Sequence, residues 1–187
     1  LVNLAAGSER EVLRVEDVNS NWHREVSFHI NAGEVVGFAG LVGAGRTDLA
    51  RALFGIAPAE SGEILVDGRA VTIRRPADAL AAGIALVPED RAREGLVMTG
   101  TLGFNLALPW TRDWNRGCRV NRARRAEIVR RAIGDFAIKA TDPEQPVSTL
   151  SGGNQQKTVV AKWLAPPPEI LILAEPTRGV DIGAREE

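Results

Sequence analysis

A chain of 187 residues, 44% of them hydrophobic, can bury a sizeable core as one domain with room for a small satellite. Its 23 basic and 24 acidic side chains leave a net charge of −1, so no overall field recruits nucleic acid or anionic lipid, and the single Cys118 forms no internal disulfide. No apolar run approaches ~18 residues, which excludes a spanning helix, and the first residues lack the basic-then-apolar pattern of a signal peptide.

Residues 1–33 read as short strands. Residues 11–15 and 25–30 alternate apolar and polar side chains before Asn31-Ala32-Gly33 turns the chain, so the two are expected to pair antiparallel. Residues 34–39 read as a short buried strand. Residues 47–54, with Leu49, Ala50, Leu53 and Phe54 on one side, read as the start of an amphipathic helix. Between them run Gly40-Leu41-Val42-Gly43-Ala44-Gly45-Arg46-Thr47, which fit a glycine-rich phosphate loop at every position but the lysine, here Arg46. Glycines let successive backbone N–H groups turn onto a polyphosphate. The helix N-terminus adds partial positive charge, and the Thr47 hydroxyl can ligate Mg²⁺.

A second hairpin is expected from residues 62–66 through the Asp67-Gly68 turn to residues 70–73. Residues 76–82 suit a short helix that Gly83 ends, ahead of a core strand at 84–87. Between 90 and 148 the texture becomes helical, with helices at 102–108 and 121–138 around a loop at 109–120. On the longer helix Ala126, Val129, Ala132, Ile133 and Phe136 share a face. Arg122, Arg124, Arg125, Arg130 and Arg131 crowd elsewhere and read as a solvated face, since no aromatic residues interleave with them as in a nucleic-acid patch.

Downstream, residues 150–157 form a small-residue turn entering a helix that continues to Leu164. Ser151, Gly152 and Gly153 make an anion cradle there or, equally, ordinary capping. Residues 169–173 read as another core strand, which sets Glu175 just past its carboxyl end, where open α/β sheets bind ligands.

These motifs together resemble the ATP-binding cassette ATPases. Residues 40–47 resemble the Walker A motif, 150–157 the signature motif, 170–175 Walker B with its catalytic glutamate, and 179–181 the D-loop. The variants Gly-Ala-Gly-Arg-Thr at 43–47, Leu-Val-Pro-Glu-Asp-Arg at 86–91, Asn-Gln-Gln-Lys at 154–157 and Glu-Pro-Thr-Arg-Gly-Val-Asp at 175–181 are similar to one subgroup. They resemble the second, C-terminal cassette of the tandem ATPases that power bacterial ribose, galactose and xylose importers.

The resemblance implies an α/β fold: a RecA-like P-loop NTPase core with an antiparallel β subdomain and a helical signature-motif subdomain, truncated at its C-terminus. In those terms residues 1–33 and 62–73 are the β subdomain, 34–61, 74–90 and 165–187 the core, and 91–164 the helical part. It implies ATP and Mg²⁺ as cofactors. Gly40, Gly43, Ala44, Gly45, Arg46 and Thr47 would hold phosphate, Trp22 adenine, Thr47 and Glu89 the metal, and Glu175 the attacking water. Ser151, Gly152 and Gly153 would face the nucleotide of a partner cassette. The implied partners are that second cassette in the same polypeptide, transmembrane permease subunits and, indirectly, a periplasmic sugar-binding protein, with no nucleic acid. The implied location is peripheral, on the cytoplasmic face of the bacterial inner membrane.

Departures from the family pattern motivate an alternative, a degenerate half that binds nucleotide and supports its companion. Arg46 replaces a compact ammonium by a planar fork, which keeps the charge and changes the geometry. Ala174 stands where Walker B has Asp, and Glu175 cannot fill that place because adjacent side chains of an extended strand point to opposite faces. Glu89 lies where many cassettes carry a glutamine, in agreement with the importer subgroup. The family's switch histidine follows the D-loop and has no match by Glu187. Both histidines precede the phosphate loop: His29 is read as structural and His23 as surface loop. For Trp22, packing stays open beside the adenine role; Trp110 and Trp114 are read as packing and Trp163 as core.

Overall fold

The computed structural model describes residues 2–5, 7–41, 43–111, 115–116, 119–165 and 167–176. The motif at 179–181, Trp114 and Cys118 lie outside the described residues. The chain divides into two compact units. Residues up to Leu86, with Pro168–Ala174, form the first, and Val87–Pro167 belong to the second.

The first unit is built on a four-stranded antiparallel sheet in the order β3-β2-β5-β6. Here β2 is Glu11–Asn19, β3 Val26–Asn31, β5 Ser61–Val66 and β6 Arg69–Ala70. Central β2 pairs with both neighbours, setting Val15 between Phe28 and Ile64 and Arg14 beside His29. Its Val12, Leu13, Val15 and Val18 are buried, together with Ile64 and Val66 of β5. Both expected pairings form, although the second strand of the later hairpin is only Arg69–Ala70 and keeps just Ala70 of the expected 70–73.

Two further strands frame the phosphate loop. β1 (Val2–Ala5) pairs antiparallel with β4 (Val35–Gly37). The segment at 34–39, expected to be a buried strand, is therefore only three residues long, and Val35 is 53% exposed. The only strand paired with it among the described residues is β1, so little covers its side chains. Phe38 rests edge-on against Phe28 of β3, ring centroids 5.1 Å apart. After the loop come α1 (Arg46–Leu53), α2 (Pro76–Ala81) and β7 (Ile84–Val87). All four β7 side chains are buried, the pattern of a strand covered on both faces.

β10 (Ile170–Leu173) adds to β7. It too is expected in the core, yet only Ile170 is fully buried and Leu173 is 49% exposed.

The second unit is helical. α3 (Leu102–Ala107) starts at Thr101, whose hydroxyl accepts from the Phe104 amide at 3.1 Å. Behind it Asn105 is wholly buried and fully used. Its Oδ1 accepts from the Val97 amide at 2.7 Å, and its Nδ2 donates to the carbonyls of Val97 and Thr101 at 3.1 and 3.0 Å. Inside the stretch expected to be a loop, β8 (Asn115–Arg116) and β9 (Arg119–Val120) form a minimal hairpin.

α4 (Arg122–Asp135) begins with an Asn121 cap accepting from the Arg124 amide. Its buried residues are Ile128, Val129 and Ala132, so the apolar stripe is rotated from the expected face. Ala126 and Ile133 instead line an open cleft of about 530 Å³ between α4 and the 140–144 turn, and Arg122, Arg125 and Arg130 rim it. α5 (Gly152–Leu164) completes the unit and packs against α3 and α4. No helix among the described residues is long and apolar enough to cross a membrane.

Candidate functional site

The glycine loop leads from β4 into α1 and leaves that helix without a side-chain cap. Gly45 is its N-cap residue, in the left-handed region at φ 78°, ψ 10°, and as a glycine it supplies no side-chain cap. An eight-residue helix thus sets its N-terminal N–H groups and the positive end of its dipole beside the loop, which suits an anion. Within the loop the Ala44 amide donates to the Leu41 carbonyl at 3.0 Å, and the Leu49 amide to Gly45 at 2.9 Å. A side chain on Gly43 would meet nothing within 4 Å, so this stretch borders open space. Gly40, Leu41, Gly43 and Ala44 are exposed, whereas Arg46 and Thr47 are half-buried in the first turn of α1.

The turn at residues 20–24 approaches this loop. Trp22 projects from it, 74% exposed. His23, expected to be a surface-loop residue, is half-buried. Its Nε2 lies 2.6 Å from the place a Cβ on Gly45 would occupy. No local sequence pattern carries that contact, which joins segments 22 residues apart. His29, by contrast, is exposed on β3 opposite Arg14.

The end of β10 brings Ala174 and Glu175. Ala174 is buried and Glu175 exposed, the alternation expected for neighbours at a strand's end. Glu175 itself takes a left-handed backbone at φ 48°, a conformation that costs a non-glycine residue about 1–2 kcal/mol and that concentrates at functional positions.

In the helical unit, half-buried Glu89 follows Pro88, and Asp90 then caps a single π turn (Arg91–Gly95), its Oδ1 accepting from the amides of Ala92 and Arg93 at 3.1 Å each. Such π turns recur at functional sites. Two side chains tie it to α5. The Arg91 Nε donates to Gln155 Oε1 at 3.4 Å, and Lys162 Nζ donates to the Gly95 carbonyl. Lys162 is only 6% exposed, and burial pushes its ammonium down from 10.5 to about 8. In the sequence Gln155 stands out only as part of the motif at 150–157, and Lys162 is not singled out. The signal was nonetheless there: Gln155, Thr158, Val159 and Lys162 recur at helical spacing, and all but Gln155 are fully buried.

Ser151 caps α5. Its Oγ accepts from the Asn154 amide at 3.4 Å and from Asn154 Nδ2 at 2.9 Å, while Asn154 Oδ1 takes the Lys139 amide. Gly152 and Gly153 are the first two helical residues. The Ser151 hydroxyl remains exposed, with its own proton available to an acceptor such as phosphate.

A protein-family model described as "ABC transporter" matches residues 23–178. The chain is 45% identical over 176 residues to the ribose import ATP-binding protein RbsA of Lactococcus lactis subsp. cremoris, covering 94% of this chain and 36% of that protein. It is 47% identical over 164 residues to the xylose import ATP-binding protein XylG of Burkholderia ambifaria, covering 87% and 32%. Among solved structures it resembles cbiO1 from Clostridium perfringens, described as part of the ABC transporter complex cbiONQ. The TM-score there is 0.74 over 95% of this chain and 71% of that one, at 24% identity, which speaks to the fold alone. The chain spans about a third of the length of the curated relatives it matches.

Proposed function

The chain belongs to the ABC transporter family and has the α/β fold of its ATPase domain, and from that premise we propose that it binds and hydrolyses ATP to drive monosaccharide import. The observation that carries this reading is the placement of the first amides of α1 at the end of the glycine loop, with left-handed Gly45 as the cap residue. Those amides and the Arg46 guanidinium hold the triphosphate, and Trp22 lies flat on the adenine. Glu175 accepts a hydrogen bond from the attacking water and draws off its proton. Phosphoryl transfer asks mainly for such positioning and for charge stabilisation.

Ala174 offers only a methyl group, and the described residues include no cluster of three or more His, Cys, Asp or Glu that could cage a metal. The donors present fit an ion carried in by the nucleotide, with the Thr47 hydroxyl as its ligand from α1. Magnesium held there would neutralise charge on the transferred phosphoryl group.

The segment 91–164 acts as the helical subdomain, and its Ser151-Gly152-Gly153 turn faces the nucleotide of a second cassette. The share of the relatives' length that this chain covers leaves room for that cassette in the same polypeptide, with this chain as its C-terminal partner. The pair works on permease subunits at the cytoplasmic face of the inner membrane, downstream of a periplasmic sugar-binding protein. Calorimetry on the intact protein should register heat with ATP and magnesium, and a flat titration would sink the reading.

Ala174 favours a second reading, in which this half binds nucleotide and its companion turns over. Under it, Ala174→Asp in the intact transporter raises ATP turnover about tenfold or more, the scale on which outer metal partners act. Unchanged turnover would remove the support for that second reading.

A further inference from the structure

We propose that His23 is a positioning residue for the phosphate loop, locking the Trp22 turn onto Gly45 so that the base and phosphate ends of a nucleotide are placed together. The proposal rests on the nucleotide-binding reading of residues 40–47.

The turn is closed from both sides, Ser20 and His23 exchanging backbone hydrogen bonds at 3.0 and 3.4 Å. At its centre Ser20 is buried, and its Oγ pairs with His23 Nδ1 at 3.1 Å and accepts from the Trp22 amide at 3.4 Å. Arg24 Nη1 donates to the carbonyls of both Ser20 and His23. One edge of the imidazole is thus held by its own turn. The opposite edge fills the space of a side chain on Gly45, with Nε2, Cε1 and Cδ2 at 2.6, 3.0 and 3.6 Å from that Cβ position.

Gly45 is also left-handed and caps α1. Two constraints therefore meet at one residue, the backbone angle and the ring above it. Glycine-rich loops lose much conformational freedom when they order around a ligand. A ring that already restrains the loop moves part of that cost from binding to folding, which strengthens binding through preorganisation.

Asparagine and glutamine at position 23 separate the two edges. His23→Asn can still pair with Ser20 but does not reach Gly45, whereas His23→Gln extends as far as the lost Nε2. Binding to the intact protein is measured for Mg-ATP and for inorganic tripolyphosphate, which probes the loop without the base. His23→Asn should weaken both ligands about tenfold, and His23→Gln should restore both to within about threefold of the parent. If His23→Asn binds tripolyphosphate as the parent does, the clamp is refuted, even if ATP weakens, since the loss then belongs to the base turn alone. If His23→Gln is as weak as His23→Asn, reach to Gly45 is not what matters and the proposal also fails. A parent protein that binds neither ligand refutes the nucleotide reading instead.

Discussion

Replacing Glu175 by glutamine is expected to lower ATP turnover in the intact transporter about a hundredfold or more while leaving nucleotide affinity within a few-fold. The amide keeps the shape of the side chain and loses the negative oxygen that, in the proposed function, orients and deprotonates water, a loss worth about 10²–10⁴ in rate. The backbone supplies a second test. Glu175 occupies a left-handed conformation at φ 48°. Glutamine inherits that strain, but glycine does not. Glu175→Gly should abolish turnover as fully as Glu175→Gln and yet stabilise the fold by up to about 1 kcal/mol, read from the denaturant midpoint. A side chain retained at a strained position for chemistry gives this opposition of activity and stability. Unimpaired phosphate release by both variants would remove Glu175 from the reaction.

The second large effect concerns Lys162 and runs against the usual pH trend. Burial lowers its ammonium from 10.5 to about 8. Between those values the unfolded chain holds a proton that the folded chain has released, so stability rises with pH across this window. Below about pH 8 the fold carries a buried charge at a cost of about 3 kcal/mol; that cost disappears progressively as the pH approaches 10.5. Lys162→Met, close in volume, should flatten this slope. Its stability at neutral pH reflects two opposed changes, relief of the charge and loss of the hydrogen bond to Gly95, each worth a few kcal/mol at most. The slope is therefore the decisive quantity. The chain has no tyrosine and only two lysines besides Lys162, so the difference in slope between the two proteins reports position 162. Denaturant midpoints at pH 7.5, 9 and 10.5 for both proteins would decide; parallel curves refute the assignment.

Much of this was legible because local patterns carried it. The phosphate loop is defined by glycine spacing followed by an amphipathic helix, the β2–β3 and β5–β6 pairings by alternation and turn residues, and Ser151 by its place ahead of a helix. What the sequence hid is nonlocal. Burial of β4 and β10 depends on what packs over their two faces, and a run of apolar residues does not report that. The stripe on α4 was misjudged by part of a turn because Ile128 and Val129, adjacent in sequence, are both buried, while Ala126 lines a cleft. The contact between His23 and Gly45 joins two loops with no periodicity to betray it. Lys162 was the avoidable omission, since a cation repeating with apolar residues at helical spacing signals a partner inside.

Trp22 gives the site an intrinsic fluorophore. With about three quarters of its surface in water, the indole should emit at long wavelength and be readily quenched by acrylamide, and it sits one residue from the ring that touches Gly45. In the proposed binding mode a nucleotide covers it and should change both properties at once, so occupancy of the loop would be followed by fluorescence without attaching a dye.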